Sequence, residues 1–280
     1  MGEAALQDWV GRVEELEDRA WPVPIRALAA TLGSGPLDAQ AGDPLPELWH
    51  WISFLPIVPM SEVGPDGHPK RGGFLPPVPL DRRMWAGGRL TFKAPLQVGD
   101  VLRKRSEILK VAEKEGKTGR MVFVTVKHLL GTDRGLAIEE EQDIVYIAMP
   151  DRFVPPEPVQ APADPIWTDT VSVDTVLLFR FSALTFNGHR IHYELPYATE
   201  VEKYPGLVVH GPLQAMLLMA AAQRHHPERR PARFSFRGVR PLFHFDSLRL
   251  MGRPREDGGH DLYTVNGDDH VAFQASIHWA

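Results

Sequence analysis

Two short stretches of this 280-residue chain place a proton-transfer group beside an anion site. In Phe186-Asn187-Gly188-His189-Arg190-Ile191-His192-Tyr193 an amide, Asn187, and an imidazole, His192, stand five positions apart in a glycine-containing loop. An imidazole titrates near neutral pH and exchanges protons with a reacting group. The Asn187 amide cannot exchange a proton, but it orients water or substrate. The second stretch, Val208-Val209-His210-Gly211-Pro212-Leu213, reads as a helix start. Pro212 suits the first helical turn because its missing N–H would be unpaired there anyway, and Gly211 permits close backbone approach. The Gly211 N–H, the free amides of that turn and the positive end of the helix dipole together form an oxyanion site. His189 and His210 flank these groups as candidate substrate contacts. Each also has a plainer reading: Asn187-Gly188 is a turn signal, and His210 packs or caps at the helix entry.

The elements that must position these residues follow from periodicity. The helix from Leu213 to Arg224 has almost no polar face, as expected of a helix wrapped by a curved sheet, which is the hot-dog arrangement. Around it the second half reads as strand (Val171 to Phe179), loop (Ser182 to Tyr204), and strands near Ala232 to Val239, Leu248 to Arg253, Asp261 to Asn266 and Val271 to Trp279. The first half predicts an amphipathic helix over Leu6 to Ala20, a short helix over Ile25 to Leu32, and a buried strand over Leu48 to Leu55. A long Pro/Gly-rich loop follows from Pro56 to Pro79, and such loops in compact proteins are usually functional or mobile. A meander of Arg89 to Ala94, Val101 to Val111, Met121 to Leu130 and Ile138 to Ala148 comes next, turned by Gly116-Lys117-Thr118-Gly119 and Thr132-Asp133-Arg134-Gly135. Met121 to Val126 reads as buried on both faces. The fold class is α+β in two similar halves, 1–150 and 166–280, joined by a stiff proline-rich linker at 151–165.

Composition narrows the function. A net charge of -5 gives no global reason to expect nucleic-acid binding, and the absence of cysteine excludes disulfides, thiolate zinc sites and a cysteine nucleophile. No leader segment is recognisable at Met1 to Leu6 and no apolar run approaches a membrane span, so a cytoplasmic protein is expected. The twelve histidines are scattered and His225-His226 diverge on a helix, so no metal site is expected.

The run Phe181 to Tyr193 followed by Leu207 to Gln214 resembles the MaoC-like (R)-hydratase group of double hot-dog proteins. Within that group it is most similar to the FAS1-like dehydratases, which include mesaconyl-C4-CoA (3-methylfumaryl-CoA), itaconyl-CoA and type 2 hydroxyacyl-thioester enzymes. Arg82-Arg83-Met84-Trp85-Ala86-Gly87-Gly88-Arg89 carries the likeness into the first half. The resemblance implies a double hot-dog with a long central helix in the second half, and reversible addition of water to an α,β-unsaturated acyl-thioester. The substrate it implies is a C5 dicarboxylyl-CoA, such as mesaconyl-C4-CoA or itaconyl-CoA, going to citramalyl-CoA. Laid on the family's motif, His192 coincides with the catalytic histidine, Asn187 stands at the acidic position and His189 at the asparagine.

His192 would then transfer protons, Asn187 hold the water and Gly211 stabilise charge on the thioester oxygen. Arginine forks suit phosphates and a free carboxylate. Candidates are Arg82, Arg83, Arg89, Arg233, Arg237 and Arg240, with Trp85 beside them, although surface arginines are commonly solvated or salt-bridged. No cofactor is implied beyond the coenzyme A of the substrate. The two halves pair internally in a monomer, or the chain forms a homodimer. A fatty-acid-type 3-hydroxyacyl-thioester dehydratase, a non-catalytic acyl-thioester binder and, more weakly, a thioesterase are the alternatives.

Overall fold

The computed structural model describes residues 6–116 and 119–280, so Met1 to Ala5 of the leader reading and Lys117-Thr118 of the first hairpin lie outside the described residues. The first half supplies β1 (Val13–Arg19), α1 (Pro22–Leu32), β2 (Arg82–Phe92), β3 (Val101–Gly116), β4 (Gly119–Thr132) and β5 (Gly135–Ile147). The second supplies β6 (Trp167–Val171), α2 (Thr175–Leu184), α3 (Gly211–His225), β7 (Pro231–Gly238), β8 (Leu248–Pro254), β9 (His260–Val265) and β10 (Val271–Trp279). All ten strands form one antiparallel sheet in the order β1-β3-β4-β5-β2-β7-β10-β9-β8-β6. The halves meet edge to edge where β2 pairs with β7, from Gly87 opposite Arg237 to Thr91 opposite Arg233. Gly88 is required at this seam, because a Cβ there would press on the Phe236 ring.

The α3 helix explains the shape of the second half. Leu213, Ala215, Met216, Leu217, Leu218, Met219, Ala221 and Ala222 are all buried, and the helix packs on β8, β9 and β10. Gln214 is buried with them, and its Oε1 accepts a 2.7 Å bond from the Thr264 hydroxyl, so this polar side chain is paired inside the core. Residues of both halves, Leu28 and Leu90 beside Leu213 and Phe234, share one core, and α1 packs on α2. The 151–165 segment is irregular apart from a single bridge between Gln160 and His270.

Four sequence expectations are corrected. Leu6 to Ala20 is not one helix: only Leu6 and Gln7 are helical, with Leu6 in a second core cluster beside Ile108 and Val124, a turn follows over Asp8 to Gly11, and Val13–Arg19 is an edge strand on β3. Its apolar spacing misleads because Val13 and Leu16 face solvent at 41% and 39% exposure. Leu48 to Leu55 is not a strand but a single 3-10 turn, Trp49–Ile52, bounded by Leu48 at φ 71° and Phe54 at φ 57°. Burial of Leu48, Trp49 and Ile52 holds that backbone against its β-propensity. Val171 to Phe179 splits into β6 and the start of α2, because the Asp174 carboxylate accepts the Leu177 N–H at 2.8 Å and caps a helix. Met121 to Val126 is buried on one face only: Val122, Val124 and Val126 are buried, while Met121, Phe123 and Thr125 between them are half-buried.

Candidate active site

The loop between α2 and α3 carries the motif. Asn187 N–H donates to the Ser182 carbonyl at 2.8 Å, and the Asn187 Oδ1 accepts the His189 N–H at 3.0 Å, an Asx turn that aims the following residues inward. The acceptor of this amide is therefore engaged by its own backbone. His192 is buried in a 3-10 turn, Arg190–His192, with Nδ1 2.7 Å from the Val208 carbonyl. A carbonyl only accepts, so Nδ1 carries the hydrogen and Nε2 presents a lone pair. His210 stacks on His192 with ring centroids 3.6 Å apart, and its Nε2 lies 2.8 Å from the Ser182 hydroxyl. Gly211 opens α3 near the Trp85 carbonyl and the Phe273 ring, and its N–H, at the first helical position, has no intrahelical acceptor. His192 and Gly211, singled out together from the sequence, thus sit on adjoining segments, linked by the Val208 carbonyl and the His192–His210 stack.

The first half reaches into this site through a segment that sequence reasoning flagged only as a loop. The His68 ring packs against His189 with centroids 4.3 Å apart and planes tilted by 38°, and the Asp66 Oδ2 lies 2.9 Å from His68 Nδ1. The Asp66 carbonyl accepts the Arg190 N–H at 3.0 Å, and the Pro65 carbonyl accepts from Arg190 Nη1 at 2.9 Å. Gly67 and Gly188 touch so closely that a Cβ on either would run into the other's carbonyl. Behind His189, the Glu202 Oε1 sits 2.8 Å from Nε2, while its Oε2 accepts from Arg82 Nε at 3.0 Å. Arg82 also packs over the Tyr204 ring at 4.5 Å.

The ligand atoms of Asp66, His68 and His189 lie within 4.8 Å of one another, and one nitrogen of each ring is hydrogen-bonded to a carboxylate, His68 to Asp66 and His189 to Glu202. Asp66, His68, Glu202 and Ser182 are the site residues that sequence reasoning did not name. The proline and glycine density around Asp66 was the available signal.

The remaining candidates separate into two groups. Arg83 is half-buried on β2, and its charge reaches His68; Trp85 packs on Trp51 at 4.9 Å and donates from Nε1 to the Gly87 carbonyl. Arg89 lies on the outer face of the sheet in ion pairs with Glu141 and Asp143. Arg233 and Arg237 are exposed on that same outer side, Arg237 donating to Gln274, and Arg240 meets His270 Nδ1 at 2.9 Å. A groove of about 710 Å³ crosses the outer face past Arg89 and Arg237, away from His192.

Burial disfavours protonation of His68, His192 and His210. It lowers His210 to about 3 and His68 to about 4, and it pushes His192 well below the ordinary histidine value, with the neighbouring His210 and His189 adding to that shift. The unfolded chain takes up these protons once the pH falls below about 6.5, whereas the folded chain does not. Stability is therefore full above that pH and declines as pH falls from about 6.5 toward about 4. Urea midpoints are expected to be level between about pH 7 and 8 and to drop steadily below about 6; a midpoint unchanged down to about pH 4.5 would exclude this account.

Comparison with known proteins agrees with the architecture. The family "hydroxyacyl-thioester dehydratase type 2" matches residues 48–244. A relative from Chloroflexus aurantiacus named mesaconyl-C(4)-CoA hydratase is 48% identical over 280 residues, covering 99% of each chain. A solved structure described as a MaoC-like dehydratase superposes with a TM-score of 0.73 at 13% identity, covering 99% of this chain and 100% of that one. A Mycobacterium tuberculosis protein described as having a double hotdog fold superposes with a TM-score of 0.61 at 14% identity over 96% of each chain. The two joined halves are thus a double hot-dog, among the described residues no helix is long and apolar enough to cross a membrane, and the chain belongs to the hydroxyacyl-thioester dehydratase type 2 family.

Proposed function

We propose that this chain is a hydro-lyase that adds water reversibly to an α,β-unsaturated acyl-CoA. The substrate is a C5 dicarboxylyl-CoA, with mesaconyl-C4-CoA ahead of itaconyl-CoA, and the product is citramalyl-CoA. The observation that carries this reading is the Nε2 lone pair of His192, fixed by the bond from Nδ1 to Val208, on a ring stacked against His210, the residue that precedes the Gly211 N–H at the start of α3. The 48% identity to a mesaconyl-C(4)-CoA hydratase along the whole chain supports the substrate class.

In hydration, His192 Nε2 takes a proton from water as the oxygen bonds to the β-carbon. The π electrons move toward the thioester oxygen, where the Gly211 N–H and the helix dipole stabilise the charge; one such donor typically contributes about 3 kcal/mol. The NH2 of Asn187 remains free to donate to water or substrate once its oxygen has closed the turn. Arg83 pairs with the free carboxylate in this reading, which its charge effect on His68 supports. Coenzyme A enters as part of the substrate, and no separate cofactor is assigned. Pairing of the halves through β2 and β7 lets one chain form the site, in the cytoplasm, with no membrane or nucleic-acid partner.

A fatty-acid-type dehydratase is the second reading, favoured by the family match itself. Loss of enoyl-thioester absorbance with mesaconyl-C4-CoA, itaconyl-CoA and crotonyl-CoA separates the two. A rate constant kcat/KM at least about tenfold higher for mesaconyl-C4-CoA, equivalent to about 1.4 kcal/mol of discrimination, is expected. Preference for crotonyl-CoA would support the fatty-acid reading, and binding without turnover would leave a non-catalytic binder.

A further inference from the structure

We propose that His68, backed by Asp66, is the second proton-transfer group of this site: it exchanges the proton at the substrate α-carbon while His192 handles the water. This rests on the hydro-lyase reading above. Four imidazoles form a row, with centroid separations of 4.3 Å from His68 to His189, 5.5 Å from His189 to His192 and 3.6 Å from His192 to His210. Their hydrogen-bond partners tell them apart. His192 is held by a backbone carbonyl and His210 by the Ser182 hydroxyl, and neither partner carries a charge that would stabilise an imidazolium. His189 is held by Glu202, whose charge is already matched by Arg82.

His68 differs from all three. Its Nδ1 lies 2.9 Å from the Asp66 carboxylate, whose other oxygen accepts the His68 backbone N–H at 3.0 Å, and among the described residues no arginine or lysine shares that carboxylate. A carboxylate on one ring nitrogen fixes the tautomer and stabilises the imidazolium formed at the other. The dyad is rigidly seated, because Arg190 ties both Asp66 and Pro65 to the motif loop and Gly67 abuts Gly188. It also supplies what Asn187 cannot, since a carboxamide does not exchange protons at neutral pH.

The balance of the reaction is complete with these two groups. His192 Nε2 removes one proton from water, the oxygen bonds to the β-carbon, and the π pair passes through the α-carbon to the thioester oxygen. The enolate then collapses and its α-carbon takes the proton from Nε2 of the His68 imidazolium. His192 returns a proton to solvent and His68 regains one, so water alone is added. Burial lowers the His68 pKa most, against the hydrogen bond that His68 donates to Asp66, and the Arg83 charge adds to the lowering, to about 4. A substrate carboxylate paired with Arg83 offsets that charge, so substrate arrival itself favours the protonated ring.

The test is exchange of the α-protons of citramalyl-CoA in deuterium oxide, followed by NMR beside the hydration rate, in the full-length chain. His68→Gln is expected to lower exchange and hydration together, each by about 10²-fold or more, a size typical of general acid–base groups. His192→Ala is expected to lower hydration far more than exchange, so the ratio of exchange to hydration rises in that variant and stays near wild type in His68→Gln. Asp66→Asn keeps the imidazole and is expected to slow exchange at least about tenfold, which serves if His68→Gln loses its circular dichroism. Wild-type exchange in a folded His68→Gln or Asp66→Asn variant would overturn the proposal. A wild-type chain that neither hydrates nor exchanges any of the thioesters would instead overturn the hydro-lyase reading on which it rests.

Discussion

Replacing His192 by alanine is expected to lower kcat/KM for enoyl-thioester hydration by about 10²–10⁴-fold with an unchanged circular dichroism spectrum. The size follows from the lack of a substitute. His210 is the imidazole stacked on His192, but its Nε2 is engaged by the Ser182 hydroxyl at 2.8 Å. Asn187 has its oxygen committed to the His189 N–H. The loss should fall on kcat rather than KM, because proton transfer contributes in the transition state and little to ground-state binding. A variant that hydrates at the wild-type rate would remove His192 from the chemistry.

Replacing Glu202 by alanine is expected to give the largest loss of stability. Its side chain is 2% exposed and that of Arg82 is 8% exposed, so the substitution leaves a buried guanidinium without its counter-charge. Breaking such a pair on one side typically costs about 3–5 kcal/mol. At about 2–4 °C per kcal/mol for chains of this size class, the melting temperature should fall by roughly 6–20 °C. Removing both partners, as Arg82→Met with Glu202→Leu, should recover much of the loss, because no unpaired charge remains. The pair joins β2 of the first half to the segment before α3, and Glu202 also orients His189, so the single variant should lose activity at temperatures where it is still folded. A melting temperature within about 2 °C of wild type would show that water reaches Arg82.

Much of this arrangement was legible from residues. The apolar run from Leu213 to Ala222, broken only by Gln214, identified the buried helix, the alternating strands identified the meanders, and Gly211-Pro212 marked the helix entry. What misled were short segments whose fate depends on distant packing. Val171 to Phe179 has strand-like composition, but the Asp174 cap decides locally for a helix. Leu48 to Leu55 is apolar enough for a strand, yet its neighbours are filled by a turn with two residues at positive φ. The Asp66–His68 dyad was hidden for a related reason: it lies in a proline- and glycine-rich loop without periodicity, and its relevance appears only once Gly67 meets Gly188 across the two halves. Arg82 and Arg89 stand seven positions apart on one strand, and only the structure separates the buried latch from the surface ion pair.

The joining of β2 to β7 has a consequence for how molecules behave toward each other in a crowded solution. It buries two strand edges that separate halves would expose, leaving β1 and β6 as the ends of the sheet. Unpaired edges are templates for aggregation, and charged side chains and short length are the usual protections. β1 carries Glu14, Glu15, Glu17 and Asp18 in seven residues, and β6 is only five residues long. Fusing two copies into one chain thus halves the number of sticky borders, and the two that remain are guarded by repulsion at one end and brevity at the other.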